Sequence, residues 1–178
     1  MNPAPLILTL ALDETSFRFF DEQRRRFFPR ERNHIPAHVT LFHALPGDEI
    51  DTIVQDLASA CAAQPPFPVA VTGLRALGRG VAYQLSASDL AQLRQALARR
   101  WADWLTPQDR QKLNPHVTVQ NKVDPEEARA LLASLQESFE PFMATGEGLD
   151  LWWYRGGPWE RVERFAFQGR SLPAEASP

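Results

Sequence analysis

His38-Val39-Thr40-Leu41 and, in the second half of the chain, His116-Val117-Thr118-Val119 spell one His-x-Thr-x string twice, each time inside a run of apolar β-formers. On a strand successive side chains alternate faces, so His38 and Thr40 point one way while Val39 and Leu41 point the other. His116 and Thr118 stand in the same phase against Val117 and Val119. Each copy therefore offers an imidazole beside a hydroxyl, with aliphatic anchors beneath. Two such pairs across a cleft would supply two proton-transfer groups and two hydroxyl donors around one oxyanion, an arrangement suited to phosphoryl transfer. A single His-x-Thr is an ordinary strand pattern. The repeat carries more, because it uses two of the four histidines in the chain.

Working outward, the flanking sequence divides into two similar halves. Residues 6–11 read as a buried strand. Asp13 or Thr15 can cap the helix that follows, with Phe17, Phe20 and Phe27 near one face and an end at Pro29. Pro36 keeps any helix from running into the first motif strand, residues 37–43. Ile50, Ile53, Val54, Leu57 and Cys61 form one helical stripe, closed by Pro65-Pro66. A strand at 67–72 ends the first half. The second half repeats the order. A strand at 81–85 is followed by a helix capped by Ser88, with Leu90, Leu93, Leu97, Trp101 and Trp104 as its stripe. A polar loop then leads through Asn114-Pro115 into the second motif. Asp124-Pro125-Glu126-Glu127 is a helix start, with Ala128, Leu131, Leu132, Leu135 and Phe139 facing inward. Strands near 149–154 and 161–167 close the chain across Gly156-Gly157-Pro158, and the tail from Leu172 is expected to fray.

The pattern predicts an α+β fold built from a duplicated unit with a pseudo-two-fold axis. It is a single domain over 1–178 made of two interlocked lobes, about 6–73 and 80–152, with a closing strand at about 161–167. With 44% apolar residues the chain can bury a sizeable core, and its net charge of −3 excludes a global basic field for coating a duplex. Cys61, the lone cysteine, cannot form an internal disulfide or a multi-cysteine zinc site, and reads as core filler. No positive segment precedes the apolar residues 6–12, so neither a signal peptide nor a membrane span is expected, and the cytoplasm is the expected location.

Paired His-x-Thr-x motifs in a duplicated α+β frame resemble the two-histidine (2H) phosphoesterase superfamily, which includes the bacterial 2′-5′ RNA ligase-like proteins and RNA 2′,3′-cyclic phosphodiesterases. The resemblance runs from about Leu6 to Phe167. It implies a bilobal fold, with antiparallel sheets lining a central cleft and helices outside. It also implies metal-independent hydrolysis of 2′,3′-cyclic or 2′-5′-linked phosphates, with His38, Thr40, His116 and Thr118 as the site. Neither metal nor cofactor is expected, and the partner is a cyclic nucleotide or an RNA 3′ end. No stable protein partner is evident, and a monomer is expected. Two departures stand out. The cyclic phosphodiesterase branch follows its first motif with a Phe-Leu-Gly-like run, where this chain has Phe42-His43-Ala44-Leu45. That branch also tends to carry an arginine soon after the second motif, where this chain has Gln120-Asn121-Lys122.

Opening a cyclic phosphate needs a base for water and an acid for the departing ribose oxygen, and histidine serves as either near neutral pH. By resemblance His116 is the base and His38 the acid, although the two motifs carry the same chemistry. Thr40 and Thr118 would donate to the non-bridging oxygens. Strand parity puts Phe42 on the face of His38, as a base-stacking ring or a core aromatic, and puts His43 on the opposite face as a packed or rim residue. His34 reads as a loop histidine. Arg155 at the Gly156-Gly157 turn is placed to reach a phosphate, with Tyr154 or Trp159 as a stacking wall; the plainer reading is a hairpin packed on the sheet. Arg24-Arg25-Arg26, with Arg30 and Arg32, either guides an RNA end or forms a solvated face. The reading from another class is a non-catalytic nucleotide- or RNA-binding module, and a third is a metal-dependent hydrolase.

Overall fold

The computed structural model of the protein describes residues 3–170; the expected fraying from Leu172 lies outside them. The elements follow the order read from the sequence: β1 (Leu6–Leu12), α1 (Glu14–Phe27), β2 (Val39–Leu45), α2 (Ile50–Ala63) and β3 (Phe67–Ala76). Then come β4 (Val81–Ser86), α3 (Ser88–Arg100), β5 (His116–Gln120), α4 (Pro125–Ser138), β6 (Phe142–Trp153) and β7 (Glu160–Ala166). All strands pair antiparallel in one sheet of order β2-β1-β6-β3-β4-β5, with β7 also on β6.

That order contains the duplication. Exchanging the halves (β1 for β4, β2 for β5, β3 for β6) turns the strand list into its own reverse, with the β6–β3 pair at the centre. Each half's third strand is given to the other half: β3 pairs with β4, and β6 pairs with β1. The division near residues 73–80 is thus crossed by a ladder running from Ala70↔Ser86 to Ala76↔Val81.

β6 begins seven residues earlier than the strand expected at 149. Gly146 and Gly148 in this earlier stretch mark close approaches inside the sheet. A Cβ at Gly146 would lie 2.8 Å from the Phe67 ring, and one at Gly148 would lie 2.4 Å from the Phe165 carbonyl oxygen.

The helices keep their expected stripes with local changes. Asp13 caps α1, its Oδ1 accepting from the Ser16 N–H at 2.9 Å. Only Phe20 of the three expected phenylalanines is buried; Phe17 is 39% exposed. The buried face of α1 is instead completed by Asp21 and Arg24. Ser88 is the first residue of α3 rather than its cap. Asp124 caps α4 through the Glu126 N–H, with Pro125 in the first turn. Cys61 is buried, and burial pushes its thiol up to about 12, which leaves it an inert filler. Among the described residues no helix is long and apolar enough to cross a membrane.

Candidate active site

The two motif strands lie at opposite ends of the sheet, β2 at one edge and β5 at the other. The curled sheet nevertheless brings His38, Thr40, His116 and Thr118 around one cavity of about 230 Å³, closed by Ile7, His43 and Trp159. Val39, Leu41, Val117 and Val119 are each 1% exposed or less, so the alternation read from the motifs holds where the functional side chains stand.

The two motifs are built alike down to the approach residue. His38 follows Pro36 and its Nδ1 lies 2.8 Å from the Pro36 carbonyl oxygen; His116 follows Asn114-Pro115 and its Nδ1 lies 2.8 Å from the Asn114 carbonyl oxygen. A carbonyl accepts but cannot donate, so Nδ1 carries the proton and Nε2 is left for chemistry in both rings. Burial pushes His38 down from 6.5 to about 4 against its bond to the Pro36 carbonyl, and the charges of Arg24, His116 and His43 add to the depression. His116 is lowered as well, first by burial, then by the charges of Arg75 and His43, with the Asn114 carbonyl opposing.

α1 holds the first motif's approach loop onto the second motif's strand. The buried Arg24 donates to Asn33 Oδ1 at 2.8 Å, to the Ile35 carbonyl at 3.1 Å and to the Thr118 carbonyl at 2.8 Å. Asp21 Oδ1 accepts from the Ala37 N–H at 3.0 Å. Arg24 is therefore a clamp between the two motifs. Of the rest of the basic run, Arg25 pairs with Asp21 at 2.6 Å, while Arg26, Arg30 and Arg32 do not line the cavity.

Strand parity fails after Leu41. The register moves from Thr9↔Thr40 to Leu8↔Phe42, so β2 carries one extra residue against β1, a β-bulge. Leu41 and Phe42 both turn inward. Phe42 is fully buried, edge-on to Trp101 at 5.3 Å with the Arg94 guanidinium 4.3 Å over its ring. The expectation that Phe42 faces the cleft is corrected: it is a core aromatic and stacks on nothing that enters the site. The same extra residue reverses His43, read as a packed or rim residue, and delivers it to the cleft. The bulge is held by Arg94 and Asp109. Arg94 donates to the Leu41 carbonyl and to the Asp109 carbonyl. The Asp109 carboxylate accepts from the backbone N–H groups of His43 and Ala44 and from His43 Nδ1, each within 3.0 Å.

On the hairpin between β6 and β7 the cleft residue is Trp159, whose ring centroid lies 4.7 Å from that of His38 and 6.2 Å from that of Trp152. Tyr154 and Arg155 do not line the cavity. Tyr154 is 43% exposed, and Arg155 lies 3.5 Å from Glu160 and over the Trp153 ring. A larger cavity of about 540 Å³ adjoins the site and shares His38 and Trp159 with it; Phe17, Trp152, Asp150 and Arg161 are among its walls. His34 lines this second cavity. Among the described residues no cluster of three or more His, Cys, Asp or Glu side chains is arranged to hold a metal.

His43, Asp109, Trp159, Arg24 and Arg75 thus join the set first read from the motifs. Among the described residues Arg75 Nη1 is buried without a hydrogen-bond partner, and its charge reaches His116. Trp159 was legible as one of two candidate walls. Asp109 carries no signal in its polar loop, and His43 was hidden by a bulge that only the pairing with β1 reveals.

A family model described as the 2′-5′ RNA ligase superfamily matches residues 12–158. No curated protein sequence matches the chain. Among solved structures the chain is similar to TT0787 of Thermus thermophilus, at 16% identity and a TM-score of 0.66 over 94% of this chain and 100% of that one. It is also similar to E. coli LigT complexed with NADP+, at 20% identity and 0.58 over 93% and 99%. E. coli LigT complexed with 3′-AMP matches at 17% identity and 0.57 over 93% and 98%. At these identities the structural likeness is a likeness of fold.

Proposed function

The chain belongs to the 2′-5′ RNA ligase superfamily, and we propose that it is a metal-independent phosphodiesterase of the 2H type. Its substrates are 2′,3′-cyclic phosphate ends of RNA or small cyclic nucleotides, with 2′-5′ linkages as a further candidate. The observation that carries this reading is the convergence of His38, Thr40, His116 and Thr118 on one small cavity from opposite ends of the sheet. A binding module has no need of two imidazoles with Nδ1 tied back and Nε2 left available.

In the proposed reaction one imidazole takes a proton from water as the oxygen attacks phosphorus, and the other gives a proton to the ribose oxygen as its bond to phosphorus breaks. Thr40 and Thr118 donate to the non-bridging oxygens, where charge builds in the transition state. The resemblance made His116 the base and His38 the acid. Burial lowers both rings, His38 to about 4, and the charge of His43 acts on both, so the two roles keep the order that the resemblance implies. A bound phosphate anion would oppose that depression in both rings. The adjoining cavity of about 540 Å³ has the size of a nucleoside site, with Trp152 and Trp159 as stacking surfaces. The nucleotides held by E. coli LigT fit this reading.

The test is a screen of the purified protein against 2′,3′-cyclic mononucleotides, cyclic-phosphate-ended RNA and 2′-5′ dinucleotides, with chelator present. Hydrolysis of at least one class is expected. Binding without turnover of any of them would favour the binding-module reading.

A further inference from the structure

Three imidazoles, not two, line the catalytic cavity, and the third is mounted differently. His38 and His116 each face a neutral backbone carbonyl through Nδ1. His43 faces a carboxylate, with its Nδ1 2.9 Å from Asp109 Oδ1, and its side chain is 47% exposed while that of Asp109 is 1% exposed. Asp109 is held below its ordinary value: burial would raise it, but the hydrogen bonds from the His43 ring and from the His43 and Ala44 N–H groups outweigh that. The buried anion therefore sits directly behind the ring. A positive charge on His43 is balanced from behind and felt in front, since it is among the causes that depress both His38 and His116.

We propose that His43, oriented and charge-balanced by Asp109, is an anion-binding residue of the site whose Nε2–H donates to a non-bridging phosphate oxygen of the substrate. This rests on the phosphodiesterase reading and adds a division of labour within it. His38 and His116 move protons, and His43 holds the anion. The bulge at Leu41–Phe42 is the structural device that creates the role, because without the extra residue His43 would point into the core.

The groups facing His43 are His38 and His116 across the cavity, Asp109 behind it, and Arg94, which braces Asp109 from α3. A charge-assisted hydrogen bond to phosphate is shorter and stronger than a neutral one. Its removal is expected to weaken substrate and product binding by about ten- to a hundredfold.

The experiment measures kcat, KM and competitive inhibition by inorganic phosphate from pH 5 to 8. It uses the intact protein, His43→Gln, His43→Phe and Asp109→Asn, with 2′,3′-cyclic AMP as substrate and melting curves to confirm the fold. Expected are a KM and an inhibition constant raised together by at least tenfold in both His43 variants, with kcat changed less. The gain in phosphate affinity that the wild type shows as pH falls should shrink in both variants and in Asp109→Asn. Folded His43 variants with KM, phosphate inhibition and pH profile within about twofold of wild type would overturn the proposal and leave Asp109 as a bulge cap alone. Should the wild type turn over none of the substrates, the functional reading fails on its own. Phosphate titration followed through the histidine ring signals then still decides whether His43 senses the anion.

Discussion

His38 and His116 sit in identical motifs and make the same Nδ1 contact, yet their surroundings separate them. Only His38 has a tryptophan ring against it and the buried Arg24 among the charges that depress it. Its depression has a consequence for folding. Between about 4 and the ordinary 6.5 the unfolded chain binds a proton on this residue and the folded chain does not. Stability therefore rises with pH through that window and is lost as pH falls through it, by on the order of 3 kcal/mol for this group alone. Denaturant melts from pH 4 to 7 should show this slope, and His38→Asn should flatten it; an unchanged slope would mean that the folded protein accepts the proton on His38 freely. For the hydroxyls, Thr40→Val or Thr118→Val keeps shape and β-propensity while removing one oxyanion donor. Turnover should drop by about 10²–10³ with melting unaffected. Near wild-type rates in both would make the threonines structural.

The β2 strand shows where sequence reading stops. Alternation at Val39, Thr40 and Leu41 is a local property and was legible. The bulge that follows is set by pairing with β1 and by two distant supports, Arg94 on α3 and Asp109 in the loop before β5, none of which leaves a periodic trace. Phe42 and His43 were consequently assigned to each other's faces. Because the Asp109 carboxylate accepts the N–H groups of both His43 and Ala44, Asp109→Ala strands two backbone donors at the bulge. The expected cost is about 2–4 kcal/mol, whereas Asp109→Asn keeps an acceptor and costs less. Equal melting of the two variants and wild type would remove Asp109 from this role. β6 makes the same point: it starts seven residues before the strand read at 149, and its glycines serve as contact points between neighbouring strands.

Across the molecule, the duplicated order of elements was legible because two similar motifs and two similar helix stripes recur in the same sequence. The exchange of third strands was not, because periodicity says that a segment is a strand and not which strand it pairs with. That exchange places β6 between β1 and β3, so the two halves share a ladder rather than an interface. Unfolding should accordingly be a single transition, with fluorescence and circular dichroism coincident, and residues 1–77 expressed alone should not fold, since β1 would lack β6 and β3 would lack β4. A stable, cooperatively melting fragment would contradict the shared ladder. The cleft inherits the same logic: one histidine from each half meets its counterpart only in the complete fold. The most direct measurement is the initial rate of 2′,3′-cyclic AMP hydrolysis in excess EDTA by wild type, His38→Ala and His116→Ala, each verified as folded. The account predicts undiminished hydrolysis by wild type and loss of nearly all activity in both variants. Activity that vanishes with EDTA and returns with zinc or magnesium, or that survives either substitution, would contradict it.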